Sequence, residues 1–408
     1  MKVKKILIIL LVIVITAFFL TNFSSIYTID DYAYVIAMGL DNSDDSDLIL
    51  SLQIAIPAGS SKGSESSSSQ SSSSIVSTVK CKNINGGVNL INDYLGQKLN
   101  LSYCKAMVFS EDIAKKGIGN YICTATNDIE IRPSCDIIVS KCSALDYITN
   151  SKPLLENLSS KYYEIASSSQ KDTGLTRTIS LMSFYNRYYD SLCEPYAPLS
   201  SIEESNGGDS SSSSGGKSES SSKKDVEKDN ANAKIKNQGL AIFKDDKLIG
   251  EISREETLCY MLVSGKLKDA VINVPSPFED ADYVSLNISS VHSKNKVEIK
   301  NGTPFVTCNI SLSARVLSST KTSNYLSKEN SLALEYATNS YLNANITDFL
   351  YKTSKELKSD FIGFGRNAVR SFKTMDNWKN YDWLNKYQNS EFNVNINTTV
   401  KSSYLLIG

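Results

Sequence analysis

The sequence is poor in histidine: His292 is the only one among 408 residues. No catalytic triad built on histidine can therefore be assembled away from His292, and a zinc site with several histidine ligands is excluded. No pair of the eight cysteines has the C-x-x-C spacing, which removes the commonest zinc and thiol-redox motifs. His292 lies in a strand-like run, and we interpret it as a partly exposed sheet residue.

An excess of either charge is also missing. The chain has 43 Lys and Arg against 44 Asp and Glu, and its formal net charge is −1. Nucleic-acid-binding proteins present a clustered basic face, so we predict no nucleic-acid partner. The phosphate-binding pattern G-x-x-x-x-G-K-[ST] is missing, and Gly363-Phe364-Gly365 lacks the third glycine of a dinucleotide fingerprint. We predict no cofactor, no metal ion and no enzymatic activity.

The longest apolar run stands near the N-terminus. Three lysines among the first five residues precede residues 6–20, which are apolar except for Thr16. A basic stretch before an apolar core is typical of an export signal. No clear cleavage site follows, so we predict a retained membrane anchor within residues 1–25, with the bulk of the chain on the extracytoplasmic side. Cleavage of this segment stays open as the alternative.

Export would bring the eight cysteines into an environment where disulfides can form. Cys104, Cys123, Cys135 and Cys142 have apolar neighbours in the sequence, which is typical of small core residues. The sequence leaves both the presence of a disulfide and its pairing open.

Two serine-rich tracts divide the chain. Residues 60–74 include eleven serines and predict a surface loop, and residues 205–230 predict a linker. Such segments have too few apolar side chains to offset the entropy of ordering. We therefore predict an N-terminal domain over 26–165, a middle domain over 166–275 that contains the linker, and a C-terminal domain over 276–408.

Strand-like and helical patterns alternate along the whole chain. This predicts the α+β class, with three compact mixed α/β domains whose sheets are rich in antiparallel pairs. Asn301-Gly302 is a strong tight-turn signal between two strands. The predicted strands cover residues 32–40, 48–57, 137–139, 239–243, 247–250, 283–291, 296–300, 305–317 and 392–400. The predicted helices cover residues 86–98, 111–125, 255–267 and 330–358.

Two acidic stretches are candidate sites. Residues 41–47 resemble a calcium loop, but Ser46 stands where such a loop needs glycine and Leu52 where it needs glutamate. We interpret the stretch as a solvated hairpin turn, with a weak cation site as the alternative. Glu255 and Glu256 point about 100° apart on a helix. We interpret them as the first turn of a helix, where the macrodipole favours acidic residues, and not as a catalytic pair.

Both tryptophans of the chain lie near its C-terminal end, after a glycine-aromatic stretch. One interpretation is that they pack a helix and turn against the last strand. The other is a surface for a partner protein, because tryptophan is enriched at interface hot spots. The candidate interface residues are Phe361, Phe364, Arg366, Trp378 and Trp383.

Five blocks of sequence, in this order, resemble the Ger(x)C family, the C subunits of bacterial spore germinant receptors. The first block is similar to the opening strand of the family, which ends in G-x-D, and the fourth is the most similar. The blocks are residues 31–41, 101–118, 127–132, 239–250, and 361–366 together with Trp378 and Trp383.

The resemblance implies a non-enzymatic subunit at the outer face of the spore inner membrane, acting with an A subunit and a multi-spanning B subunit. It also implies three mixed α/β domains, and it carries over no catalytic residue. Family members usually have a lipidated cysteine before the opening strand, and Phe23 stands at the position expected for it. We therefore expect the apolar helix to serve as the anchor. The alternative function is a membrane-anchored extracytoplasmic protein that binds a solute or a glycan.

Overall fold

The computed structural model describes residues 2–21, 31–43, 47–56, 74–151, 159–203, 234–278, 282–319 and 327–401. Phe23, the predicted linker 205–230 and all of the predicted loop except Ser74 lie outside the described residues. Helix α1 (Lys2–Thr21) covers most of the predicted anchor. Within the described part of the chain, no helix is both long enough and apolar enough to cross a membrane. The anchor therefore stays a prediction.

A ten-stranded mixed sheet forms the larger of the two sheets in the described residues. Its strands are β1 (Tyr32–Asn42), β2 (Leu48–Ala55), β3 (Ser74–Cys81), β4 (Lys98–Asn100), β5 (Ala106–Ser110), β6 (Asp136–Ser140), β7 (Ile179–Ser180), β8 (Tyr196–Glu203), β9 (Lys234–Lys244) and β10 (Lys247–Ile252). The main order is β10-β9-β8-β6-β5-β1-β2-β3, with β4 beside β1 and β7 beside β6. β1, β5, β6 and β8 run parallel in the middle. The two predicted hairpins, β1–β2 and β9–β10, are confirmed.

The parallel strands are covered on both faces, as parallel sheets require. In β5, Met107 and Phe109 point into the main core, while Ala106 and Val108 point into a smaller core on the other face. Helices α5 (Ala144–Asn150) and α6 (Ser159–Thr173) cover the smaller core. The other α-helices of the described residues are α2 (Ile84–Leu95), α3 (Glu111–Lys116), α4 (Gly119–Asn127), α7 (Leu181–Tyr189), α8 (Arg254–Val263), α9 (Lys328–Tyr351), α10 (Gly365–Ala368), α11 (Met375–Tyr381) and α12 (Trp383–Lys386).

The single helix predicted over residues 111–125 is two helices, α3 and α4. The chain breaks at Gly117, whose φ is 120°, a conformation that glycine adopts without strain. A Cβ atom at this position would lie 2.6 Å from the Asp246 carboxylate. The periodicity of the sequence is helical on both sides of the break, so it did not indicate the interruption.

A second sheet has four strands in the order β11-β12-β13-β14. These strands are β11 (Asp269–Pro275), β12 (Tyr283–Lys300), β13 (Thr303–Ser319) and β14 (Glu391–Lys401). The predicted turn joins β12 to β13, with φ of 52° at Asn301 and 82° at Gly302. The strands predicted at 283–291 and 296–300 are one strand, β12. The register of β12 against β13 shifts between Ser289 and His292. The strand continues through its polar residues because alternate side chains face outward.

Helix α9 covers the outer edge of β14. Three of its polar side chains, at spacings of four residues, bond to the strand backbone. Glu335 accepts from Val400 N at 2.8 Å, Asn339 accepts from Thr398 N at 2.9 Å, and Asn343 donates to Val394 O at 2.6 Å. Edge strands expose unpaired backbone groups that invite other strands, so these contacts protect the edge.

The mixed α/β architecture confirms the predicted fold class. The ten-stranded sheet takes strands from both sides of residue 165, and β11, which ends at Pro275, belongs to the second sheet. The three domain ranges therefore stay a prediction.

Candidate functional site

The candidate interface residues are divided between the core and the surface. Phe361, Phe364, Trp378 and Trp383 are each at most 1% exposed, whereas Arg366 is exposed. The four aromatic residues follow the core-packing interpretation, because side chains inside the fold cannot meet a partner there. For Arg366, contact with a partner stays a prediction.

The buried aromatic cluster is organised around Asp360, a residue that the sequence did not single out. Its carboxylate accepts hydrogen bonds from the backbone N of Gly363, Phe364 and Gly365 at 2.8, 3.0 and 2.8 Å. The indole Nε1 of Trp383 donates a fourth bond at 2.8 Å. Burial raises the pKa of Asp360 to about 6, and the four donors oppose that shift. The glycine-aromatic stretch is thus a turn wrapped around a buried carboxyl group.

The two tryptophans stack within this cluster. Their ring centroids are 5.9 Å apart with an interplanar angle of 22°. Trp378 Nε1 donates to Ser191 Oγ at 3.0 Å, which satisfies the polar end of a buried ring. These contacts join the C-terminal segment to the chain just before β8.

The structure also shows the surroundings of the acidic candidates and of the histidine. Asp41 accepts from the backbone N of Ala144 and Leu145 at 2.7 and 3.0 Å, so it caps helix α5. Asp47 pairs with Lys82 and, at 3.8 Å, with Lys80. His292 is exposed on β12. No group of three or more His, Cys, Asp or Glu in the described residues could hold a metal ion.

All eight cysteines are free thiols in the structure. Cys104 and Cys135 are buried with their sulfur atoms 3.9 Å apart, while Cys123 and Cys142 are half-buried. Burial therefore confirms that Cys104 and Cys135 are core residues.

A polar cleft of about 770 Å³ lies beside β6, β7 and α7. Helix α6 contributes Glu164 to it and the end of α7 contributes Arg187, while Lys266 follows α8 and Arg366 is in α10. The charged residues that line the cleft are Lys105, Asp136, Glu164, Arg177, Arg187, Lys266 and Arg366. Five cations thus face two carboxylates in a chain whose overall charge is nearly balanced.

Two of the cations are held by other groups. Lys105 Nζ lies 2.8 Å from a Glu164 oxygen. The buried Arg187 donates from Nη1 to Glu194 O and Phe361 O, both at 2.8 Å. Its guanidinium also lies 4.9 Å from the centre of the Tyr196 ring. Arg187 is therefore a fixed positive charge at the wall of the cleft.

The other three cations, Arg177, Lys266 and Arg366, are not paired in this way. Among the described ion pairs, which extend to 4.0 Å, none includes them. Arg177 Nε is buried without a hydrogen-bond partner. Desolvation lowers the pKa of Lys266, and repulsion from Arg187, Arg177 and Arg366 lowers it further. Burial also raises the pKa of Asp136 to about 6, so this carboxylate is protonated more readily than an exposed one but is still mostly charged at neutral pH.

Sequence reasoning missed this cleft, apart from Arg366. Its cations stand at positions from 105 to 366, without a common spacing or a basic run. Only the fold brings them together, so no local pattern could have indicated the site. Fixed cations that have no ion-pair partner can attract and orient an anion.

Two family models match the chain in succession. The model described as "Spore germination protein N-terminal domain" matches residues 26–202. The model described as "Spore germination B3/ GerAC like, C-terminal" matches residues 238–404. The interval between the two matches contains the predicted linker 205–230.

Full-length relatives extend this similarity. The "Putative spore germination protein YfkR" of Bacillus subtilis (strain 168) is 22% identical over 372 residues, which cover 90% of this chain and 88% of the relative. The "Spore germination protein KC" of the same strain is 23% identical over 363 residues, which cover 85% and 84% of the two chains.

The solved structure titled "Crystal Structure of the GerBC protein" has the same fold. Its TM-score is 0.52 at 14% identity, and the match covers 89% of this chain and 96% of that one. Fold and matched domains together define a two-part spore germination protein of mixed α/β architecture. The chain belongs to the Ger(x)C family of spore germination proteins.

Proposed function

We propose that this chain is the non-enzymatic C subunit of a spore germinant receptor, which acts with A and B subunits to trigger germination. The observation that carries the proposal is the ordered match of both germination domain models, over residues 26–202 and 238–404. Relatives named as germination proteins are similar along most of their own length, so the proposal concerns the whole chain.

The carboxylates singled out in the sequence support a non-enzymatic role. Ser253 and Glu256 form a reciprocal capping box at the start of α8, and Lys352 donates to both Glu256 oxygens at 2.8 Å. Glu255 accepts from the Ser253 hydroxyl at 2.8 Å. These contacts make the acidic pair a helix start, as predicted.

We further propose that the subunit is held at the outer face of the spore inner membrane by its N-terminal segment. Helix α1 begins with the three lysines and continues as an apolar run, and Phe23 offers no thiol for a lipid at the position expected for the cysteine. Protein extracted from spore membranes should have the mass of the uncleaved chain without an added diacylglycerol. A shorter, soluble form would contradict the anchor.

Deletion of the gene tests the role directly. Growth and sporulation should stay normal, while germination in response to at least one stimulus should be lost and should return when the full chain is supplied. Normal germination with every stimulus would contradict the proposal.

The A and B partnership requires a separate experiment. The tagged full chain should co-purify with both subunits from detergent-solubilised spore membranes. Residues 1–25 fused to a reporter form the matched control, since this fusion retains the predicted anchor but lacks the folded sheets. Equal capture by the fusion would mean that the membrane alone explains the association.

The polar cleft also favours the second function, a membrane-anchored solute-binding protein. That function would be supported if the chain bound a ligand by itself while its deletion left germination unchanged.

A further inference from the structure

We propose that the polar cleft binds a small anionic molecule, whose carboxylate or phosphate group pairs with Arg177, Lys266 and Arg366. The inference adds a ligand site to the proposed receptor subunit but does not depend on that role, because binding can be measured on the chain alone.

The first argument is the charge left without a partner. Like charges that approach each other in a partly desolvated site disfavour the charged state, and here the pKa of Lys266 is lowered by burial and by three neighbouring arginines. The carboxylate of Glu164 is engaged by Lys105 at 2.8 Å, so it does not neutralise the other cations. An anion in the cleft would remove this repulsion.

The second argument is the chemistry of the donors. Guanidinium groups offer planar pairs of N–H donors that match carboxylate and phosphate oxygens. Arg177 has a buried Nε without a hydrogen-bond partner, and a buried donor of this kind costs free energy until it is satisfied. Arg187, fixed by two backbone carbonyls, adds a permanent positive field behind the other three.

The third argument is size. Small-molecule sites usually have volumes of about 300–1,000 Å³, and the cleft has about 770 Å³. Ser167, Ser183 and Asn186 add neutral polar groups to its lining. The dimensions fit a small molecule with one strongly anionic end and further polar groups.

The test is a calorimetric titration of the full chain, kept in a non-ionic detergent, with inorganic phosphate and with citrate. We expect at least one of them to bind, and more weakly as salt increases. Arg366→Gln and Lys266→Gln should each weaken binding roughly tenfold, since a charge-assisted hydrogen bond is lost. The matched control is Arg370→Gln, because Arg370 is exposed and lies outside the cleft; its affinity should stay within about twofold of the wild type.

An anionic lipid headgroup would offer the same chemistry as a free anion. Vesicles of phosphatidylglycerol and of phosphatidylcholine separate the two sources, with the difference between wild type and Arg366→Gln as the readout. Cleft-dependent binding to the anionic vesicles without binding of phosphate or citrate would overturn the assignment to a small molecule. No binding of either anion, or equal weakening by Arg370→Gln, would also overturn it. If one cleft variant lost its native circular dichroism spectrum, the other would decide the outcome.

Discussion

At the scale of single residues, two buried carboxyl groups, those of Asp360 and Glu194, hold irregular stretches of backbone in place. Asp360 holds three consecutive backbone N–H groups and a tryptophan. Glu194 is also buried, and it accepts from Asp245 N at 2.9 Å, in a turn where Asp245 has a φ of 54°. Both residues fix local backbone that no regular element would hold.

Asp360→Asn should lower the free energy of unfolding by about 3 kcal/mol, because an amide N–H₂ group would face donors that now bond to oxygen. The measurement is urea denaturation followed by circular dichroism. The control is Asp348→Asn on the exposed side of α9, where a change below about 0.5 kcal/mol is expected. Equal losses of stability in the two variants would show that the four hydrogen bonds to Asp360 make no specific contribution.

The pH dependence of stability should reveal Glu194. Burial raises its pKa from 4.5 to about 7, so folding favours the protonated form. Its stabilising contribution is present below pH 4.5 and is lost as the pH rises through about 7. Glu194→Gln keeps a neutral side chain, so its stability relative to wild type should rise by up to about 3 kcal/mol across this interval. The control Glu391→Gln, at an exposed residue, should show no such rise. A difference in stability between Glu194→Gln and wild type that does not change with pH would contradict the raised pKa of Glu194.

At the scale of elements, the sequence predicts the strands and helices better than their contacts. Periodicity indicated α9 and β14 separately, and Asn301-Gly302 indicated the turn between β12 and β13. It did not indicate that α9 ends at Tyr351 and continues as a π-helical turn over Lys352–Glu356, nor that α9 lies along the edge of β14. Local propensity decides whether an element forms, while distant partners decide where it ends and what it touches.

The contact between α9 and β14 can be tested with Asn339→Ala. The change leaves Thr398 N without its acceptor and should cost about 1 kcal/mol. Hydrogen exchange at the Thr398 amide should become faster. Asn345→Ala, on the exposed side of the same helix, is the matched control and should leave that amide unchanged.

At the scale of the whole molecule, the two regions matched by the family models share one core. Arg187 Nη1 donates to Phe361 O at 2.8 Å, and Glu194 N donates to Asp360 O at 3.1 Å. Phe243 N donates to Pro195 O at 3.1 Å. The serine-rich tract between the two matches therefore does not separate two independent cores.

Unfolding should accordingly occur in one transition. Tryptophan fluorescence reports on residues 378 and 383, and hydrogen exchange at Met107 reports on β5. Both probes should therefore give the same midpoint of denaturation. Arg187→Gln should lower both midpoints together, because the free energy of unfolding should fall by more than about 2 kcal/mol. Arg370→Gln should leave them in place, and two separate transitions would contradict a shared core.

The sequence by itself determined the order of the five blocks that resemble the family, the two serine-rich tracts, the hairpins and the mixed α/β class. These depend on short stretches in which hydrophobic period and turn residues act locally. Only the tertiary structure decided that the aromatic cluster is buried and that Asp360 lies at its centre. It also decided that cations spread from Lys105 to Arg366 meet in one cleft. The surroundings of Asp360 and the meeting of these cations arise from contacts between distant parts of the chain, and such contacts leave no local pattern in the sequence.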